Sequence, residues 1–327
     1  MDLCLIHADG KLYELAQITD FDSFSAMIST DPGEECDWEL TMPEGAWERC
    51  PILPGHFIYI DGTEWGGPAE QLRHISSDGQ IRLRGTCWRG LLRRRVIVPP
   101  SGKTHYTLGS TEGNAAIKAL LGTWRSDLFS VSEGSSGVKC SASLRYTPLL
   151  TALDDMLGSA GARLSAVFTG GHVVLSSHPS RDMSDMVELS QEYDARLRTD
   201  STAAVYNHII ALGRGELLDR QVAELWLLDD GYVTDNPSAA PKVVSTMLYD
   251  YPAVESPEEL VKAARRRLLS SAASHSMEIE MTDNIGLELT DTASVRDTLT
   301  GMTGTLRVIS SELTVNSSGI ILAHHLG

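Results

Sequence analysis

Short alternations of apolar and polar residues, separated by turn residues, fill the first third of the chain. Asp37-Trp38-Glu39-Leu40-Thr41-Met42-Pro43 puts Trp38, Leu40 and Met42 on one face and stops at a proline, the pattern of a half-buried strand. Leu3–His7 and Leu12–Leu15 flank an Asp9-Gly10 pair and predict a hairpin, and Phe21–Thr30 predicts a longer strand before the Asp31-Pro32-Gly33 turn. The stretch Ile58–Pro100 organises this region. It predicts strands at Phe57–Ile60, about Gln71–Ile75 and Ile81–Arg84, with turns at Asp61-Gly62 and Asp78-Gly79. A Trp-bearing helical turn, Arg93-Arg94-Arg95 and Pro99-Pro100 follow, with Trp65 and Trp88 as expected packing anchors. Many short strands with turns between them predict a small barrel or sandwich over 1–100.

After Pro100 the period changes. Asn114–Leu121 predicts a helix ending at Gly122. Thr147-Pro148, read as cap and first turn, opens a second with Leu149, Leu150, Leu153, Met156 and Leu157 at helical spacing. Arg163–Phe168 and His172–Ser176 alternate around Thr169-Gly170-Gly171 and predict a hairpin, so 101–200 reads as a mixed α+β insert. In 201–327, Val205–Gly213 and Gln221–Leu228 predict strands. Ser256-Pro257-Glu258-Glu259 is a capping box that opens a long helix, about 256–274, with Arg265–Arg267 toward its C-terminal end. Met277–Met281, Gly286–Thr290, Thr305–Ser310 and Ser318–His324 complete a strand-rich last third. Leu72–Ser77 and Leu306–Ser311 echo one another, a hint of one plan shared by the first and last thirds.

Charge narrows the function. The 327 residues carry a formal net charge of −17, which disfavours tight binding to a phosphate backbone and suits repulsion of nucleic acid. Hydrophobic residues at 42% support packed cores. Five widely spaced cysteines without a C-x-x-C fit reduced thiols rather than a disulfide framework or zinc site. The N-terminal residues do not read as a secretory signal and no window is long and apolar enough to span a bilayer, so synthesis in the bacterial cytoplasm and no membrane insertion are expected.

Catalytic signatures do not assemble. Gly213-Arg214-Gly215 lacks the third glycine of a dinucleotide fingerprint, and Gly134–Lys139 lacks the order of a phosphate loop. His172 with His178 and His324 with His325 are the local histidine groupings, and adjacent strand residues such as the latter pair point to opposite faces. Asp154-Asp155, Asp182 with Asp185, and Asp229-Asp230 are paired carboxylates, read as solvated faces in so acidic a chain. No catalytic, cofactor or metal residue is therefore assigned. Arg93, Arg94 and Arg95 stand out against the acidic background as a candidate subunit contact.

The segments DWELTMP, LPGHFIYIDGTEWGGPAEQL and IRLRGTCWRGLLRRRVIVPP, then VYNHIIALGRGELLDRQVAEL, PEELVKAARRRLL and the closing strands, resemble the bacteriophage tail-tip or baseplate hub family, found also in contractile injection systems. The family often has a Leu-Gly-Asp before an alternating strand, where this chain has Leu289-Thr290-Asp291. The resemblance implies an α+β, mainly β chain: tube-type β-barrel domains at 1–100 and 201–327 with the α+β insert at 101–200 between them. It implies a homotrimeric ring at the distal end of a virion tail that continues the tail tube, with DNA or cargo in transit through the lumen. The implied partners are the tail tube or distal tail protein, the tape measure, and tip or fibre proteins; no cofactor and no enzymatic activity are expected, because no catalytic signature assembles in the residues. The alternative from the residues is a cell-wall hydrolase using acidic residues of the insert.

Overall fold

The computed structural model describes residues 4–192, 195–202, 206–228, 232–252, 254, 256–269, 274–281 and 286–327. The predicted N-terminal hairpin is present: β1 (Leu5–Ala8) pairs antiparallel with β2 (Glu14–Ile18), and Asp9 Oδ1 accepts the N–H groups of Lys11 and Tyr13 at 2.8 and 3.0 Å. β3 (Ser23–Ser29) and β4 (Asp37–Pro43) follow, with Trp38, Leu40 and Met42 all buried as the alternation requires. After α1 (Glu44–Arg49) come β5 (Phe57–Ile60), β6 (Gly66–Ile75), β7 (Gln80–Thr86), the Trp-bearing helical turn α2 (Trp88–Leu91) and β8 (Val96–Ile97).

The second strand of this meander begins earlier than the apolar pattern predicts, at Gly66-Gly67. These glycines are strand residues because the backbones converge: a Cβ on Gly67 would lie 1.9 Å from the Thr86 carbonyl oxygen. Likewise, a Cβ on Gly85 would lie 1.9 Å from that of Pro68 and 2.8 Å from the Trp38 ring. Trp65 is only half-buried; the fully buried anchors are Trp38 and Trp88.

The middle of the chain contains β9 (Tyr106–Glu112), α3 (Gly113–Leu121), β10 (Phe129–Val131), β11 (Lys139–Leu144), β12 (Thr147–Pro148), α4 (Leu149–Gly158) and the expected hairpin β13 (Ala162–Thr169) with β14 (His172–Pro179). The carboxylate of Glu112 caps α3 by accepting from Ala115 N at 3.0 Å. Thr147 does not cap α4. Thr147-Pro148 pairs with Val96–Ile97, and the first N–H of the helix, that of Leu149, reaches the Arg95 carbonyl at 2.7 Å. Strand pairing thus supplies the acceptor that a side-chain cap would have supplied.

The remaining elements are β15 (Glu188–Leu189), β16 (Ala195–Thr202), β17 (His208–Leu212), β18 (Val222–Leu227), β19 (Val233–Thr234), β20 (Thr246–Asp250), α5 (Pro257–Leu269), β21 (Ser274–Met281), β22 (Thr292–Arg296), β23 (Thr303–Asn316) and β24 (Gly319–Leu326). Ser256 caps α5, its Oγ accepting from Glu259 N at 3.2 Å. The described helix is Pro257–Leu269, and Ser274, expected at the end of the helix, belongs to β21. Gly286–Thr290 is not a strand. It is a turn region in which Thr290 takes a φ of 71°, and the alternating strand begins only at Thr292.

A 13-stranded sheet runs β16-β21-β24-β23-β3-β4-β7-β6-β5-β1-β2, with β22 attached to β23 and β15 to β22. The fold is mainly β, as expected. Its two compact units, Met1–Leu197 with Glu278–Gly327 and Arg198–Met277, cut the chain differently from divisions at 100 and 200. The cause is the antiparallel pairing of β23 with β3, Ser310 opposite Ser29 through Asn316 opposite Ser23, which puts the first and last segments in one sheet. The echoing segments Leu72–Ser77 and Leu306–Ser311 lie largely in hairpins of that sheet. The second unit is a four-stranded sheet, β19-β18-β17-β20, whose Ile209, Ala211 and Leu225 pack with Leu260, Ala264 and Leu268 of α5.

Candidate functional site

The stretch around Trp88 is the junction of the larger unit. Trp88 stacks on Phe168 of β13 at 4.9 Å between centroids and on Phe57 of β5 at 5.7 Å, while Tyr59 lies 4.2 Å from Phe168. Backbone bonds lock the same junction: Gly62 N to Phe168 O at 2.8 Å and Phe168 N to Thr63 O at 2.9 Å. Next to Trp88 sits Arg89, only 1% exposed. Its Nε donates to Glu64 Oε2 at 3.2 Å, its Nη1 to Asp154 Oδ1 at 3.1 Å, and its Nη2 to the Leu164 carbonyl. Glu64 Oε1 in turn accepts from Ala166 N at 2.9 Å. One guanidinium therefore ties the β5–β6 turn, α2, α4 and β13 together.

The electrostatics follow from burial. Burial alone would lower the Arg89 pKa, but Glu64 and Asp154 outweigh it and hold the guanidinium charged. Burial pushes the Asp154 carboxyl up to about 6, against the pull of Arg89 and with the help of Glu64 and Asp155. Asp154 is thus no solvated carboxylate, whereas its neighbour Asp155 is exposed. An open cleft of ≈ 370 Å³ beside them is lined by both acids together with Thr30, Arg163, Thr290 and Arg307.

Arg93, Arg94 and Arg95 lie at the end of this helical turn and point into different surroundings. Arg93 Nη2 donates to the Asp31 carbonyl at 3.2 Å. Arg94, 51% exposed, pairs with Glu70 and donates to Thr86 Oγ1 at 2.8 Å. Arg95 donates to the Leu121 carbonyl at the end of α3.

A second ionic network holds the turn before β22. Asp291, fully buried, accepts from Arg181 N and Arg181 Nε at 2.9 Å each and from Glu288 N at 3.0 Å. Arg163 pairs with Glu288, and Thr290 Oγ1 shares a 2.6 Å hydrogen bond with Ser180 Oγ. Thr290 holds a left-handed backbone, φ 71°, a conformation that glycine adopts without strain. A β-branched side chain is strained there, and these bonds hold it in place.

The other sequence candidates stay apart. Asp182 accepts from Ser184 and from Thr292 Oγ1 at 2.9 Å, on the surface. Asp229-Asp230 lies outside the described residues. His178 bonds its own strand neighbour Ser176, His324 is buried against Ser311, and Gly215 sits at a tight turn with a φ of 104°. Among the described residues no group of three or more His, Cys, Asp or Glu is arranged to hold a metal, and no helix is long and apolar enough to cross a membrane. The periodicity reading missed Arg89 and Glu64. The available signal was one arginine inside the otherwise apolar Cys87-Trp88-Arg89-Gly90-Leu91-Leu92, where a charge has to find buried partners. It also missed the chain Cys50–His7–His56, with contacts of 3.1 and 2.8 Å. There burial, with His56 beside it, lowers the His7 pKa to about 4 and keeps the ring neutral.

No protein-family model matches the sequence, and no curated protein sequence matches it. The fold, in contrast, has counterparts along its whole length, and it is the fold of phage tail and baseplate proteins. The 43 kDa tail protein of prophage MuSo2 from Shewanella oneidensis superposes with a TM-score of 0.56, covering 99% of this chain and 98% of that one at 15% identity. The tail protein from Neisseria meningitidis MC58 gives 0.54, with 100% and 96% covered at 13% identity. A chain of the phage P2 baseplate in its activated conformation gives 0.53, with 99% and 98% covered at 9% identity. The likeness is one of fold, and it agrees with the sequence resemblance to tail hubs.

Proposed function

We propose that the chain is a structural, non-enzymatic component of a phage-type tail: a hub at its distal end. In this reading three copies form a ring that continues the tail tube and gates the passage of DNA or cargo. The observation that carries the reading is the end-to-end match to tail and baseplate proteins, with almost nothing left over on either side. The charge of −17 supports it, since an acidic wall does not hold DNA in transit. The large sheet, drawn from both the first and the last segments, would form the wall, and the tail tube or distal tail protein, the tape measure and tip or fibre proteins would be the neighbours. Closing such sheets into a ring also protects their edges. Two of the acids that a hydrolase could use are engaged otherwise, Asp154 with Arg89 and Asp182 with Ser184 and Thr292.

Electron microscopy and sedimentation of the purified chain test the proposal. A threefold ring with a central channel is expected, and a monomer that stays monomeric at high concentration and with its tail-tube neighbour would overturn it. Arg93–Arg95 are proposed as part of the subunit contact, with Arg93 and Arg94 the more available of the three. Arg93→Glu with Arg94→Glu should shift the trimer toward monomer without lowering the melting temperature markedly. An unchanged trimer removes the role.

A further inference from the structure

The exposed side of α5 carries positive charge that the described residues do not neutralise. Lys262, Arg265, Arg266 and Arg267 are all exposed, in a chain with 27 Lys and Arg against 44 Asp and Glu. The helix dipole favours cations in the last turn, Arg266 and Arg267, but its effect fades before Lys262 and Arg265. Glu258 stands four residues before Lys262, a spacing at which such residues can pair. Yet among the described residues Lys262, Arg265 and Arg266 make no ion pair. Exposed arginines elsewhere do, Arg84 with Glu39 and Arg94 with Glu70.

Apolar surface lies among these cations. Val261 is 37% exposed and Leu269 46%, and with Arg265 between them they occupy one stripe of the helix. Beside it, Arg266 and Arg267 flank an open cleft of ≈ 310 Å³ whose other walls are Tyr249 and Ala263. Arginine and tyrosine beside aliphatic surface is the composition of a protein–protein interface. The charge selects an anionic partner. A nucleic acid is charged along its whole length, and it would run past this patch onto acids that repel it, Glu258 on α5 itself and Asp250 next to Tyr249. A short acidic segment responds to the patch alone, because charges more than about 8 Å away are screened at physiological salt.

We propose that the exposed side of α5 docks an acidic, amphipathic segment of a partner protein, its carboxylates on Lys262, Arg265 and Arg266 and its apolar side chains against Val261 and Leu269. Fluorescence anisotropy on the full-length protein tests this with a short labelled peptide that places Glu and Leu at helical spacing. The comparison probes are the same peptide with Gln for every Glu, and labelled single-stranded and duplex DNA. The Glu peptide should bind saturably, less tightly as salt is raised, and more tightly than the Gln peptide or either DNA. Arg265→Glu with Arg266→Glu should weaken it by about tenfold or more. Lys103→Glu with Lys139→Glu makes the same change in net charge on exposed lysines of the larger unit and should leave binding nearly unchanged. Absence of Glu-peptide binding, equal binding of the Gln peptide, tighter binding of either DNA, or equal losses in the two variant pairs overturns the proposal. Should the α5 pair fail to fold, Arg265→Gln with Arg266→Gln replaces it, with Lys103→Gln and Lys139→Gln as control. Failure here leaves the tail-hub reading untouched, since that rests on the fold.

Discussion

Thr290 is a non-glycine residue held at a φ of 71°, and relieving it is a direct test of how the turn before β22 is built. The left-handed region costs a residue with a Cβ roughly 1–2 kcal/mol. Thr290→Gly gives back part of that, less the hydrogen bond to Ser180 and the extra freedom of glycine in the unfolded chain. Urea unfolding should show a change within about 1 kcal/mol of zero, whereas Thr290→Ala, which keeps the strain and loses the bond, should destabilise. Arg89 is the opposite case. Arg89→Met leaves Glu64 and Asp154 buried without their cation and should cost about 3–5 kcal/mol by the same measurement. Asp154 adds a pH signature. Its folded pKa of about 6 stands above the ordinary 3.8, so the folded state binds the proton more tightly, and the stability due to this group is lost as pH rises between those values. Asp154→Asn should remove that slope from the pH dependence of unfolding.

Helix ends and strand crossings are decided by contacts that periodicity does not contain. The Glu112 carboxylate at the start of α3 loses solvation, but the bonds from Ser136 and from Ala115 N prevail and bring its pKa down to about 2. Its folded pKa is depressed, so its contribution is present above the ordinary 4.5 and disappears as pH falls toward 2. Glu112→Gln should flatten the acid side of the stability profile while changing little below pH 2. At the crossing of β6 and β7, Gly85→Ala drives a methyl group onto the Pro68 carbonyl and the Trp38 ring. A loss of at least ~2 kcal/mol is expected from thermal melts, as for other overpacked sites.

For the whole molecule, the pairing of β23 with β3 matters most, because it makes residues near both ends of the chain parts of one sheet. A fragment ending at Leu197 keeps β3 but lacks its partner, exposing a strand edge with Phe24, Ala26 and Ile28, which are buried in the full chain. It should aggregate or bind a hydrophobic dye in size-exclusion and fluorescence measurements. A soluble, dye-negative fragment would mean that the N-terminal strands close on themselves. The second unit, Arg198–Met277, has its own core of Ile209, Leu225, Leu260 and Leu268.

The sequence by itself determined the local elements: the β4 alternation, the Asp-Gly hairpins, the spacing of α4 and the capping box of α5, because each depends on residues only a few positions apart. It also determined the mainly β class and the acidic charge. Only the tertiary structure decided that the first and last segments share a sheet, and that Arg89 sits between Glu64 and Asp154. It alone decided that Thr147 serves a strand rather than a cap. Those outcomes depend on partners up to hundreds of positions away, such as Ser310 opposite Ser29. Local propensity has no term for a charge whose counter-ion arrives from another part of the chain, and for that reason the acid pair at Asp154-Asp155 read as solvated when half of it was buried.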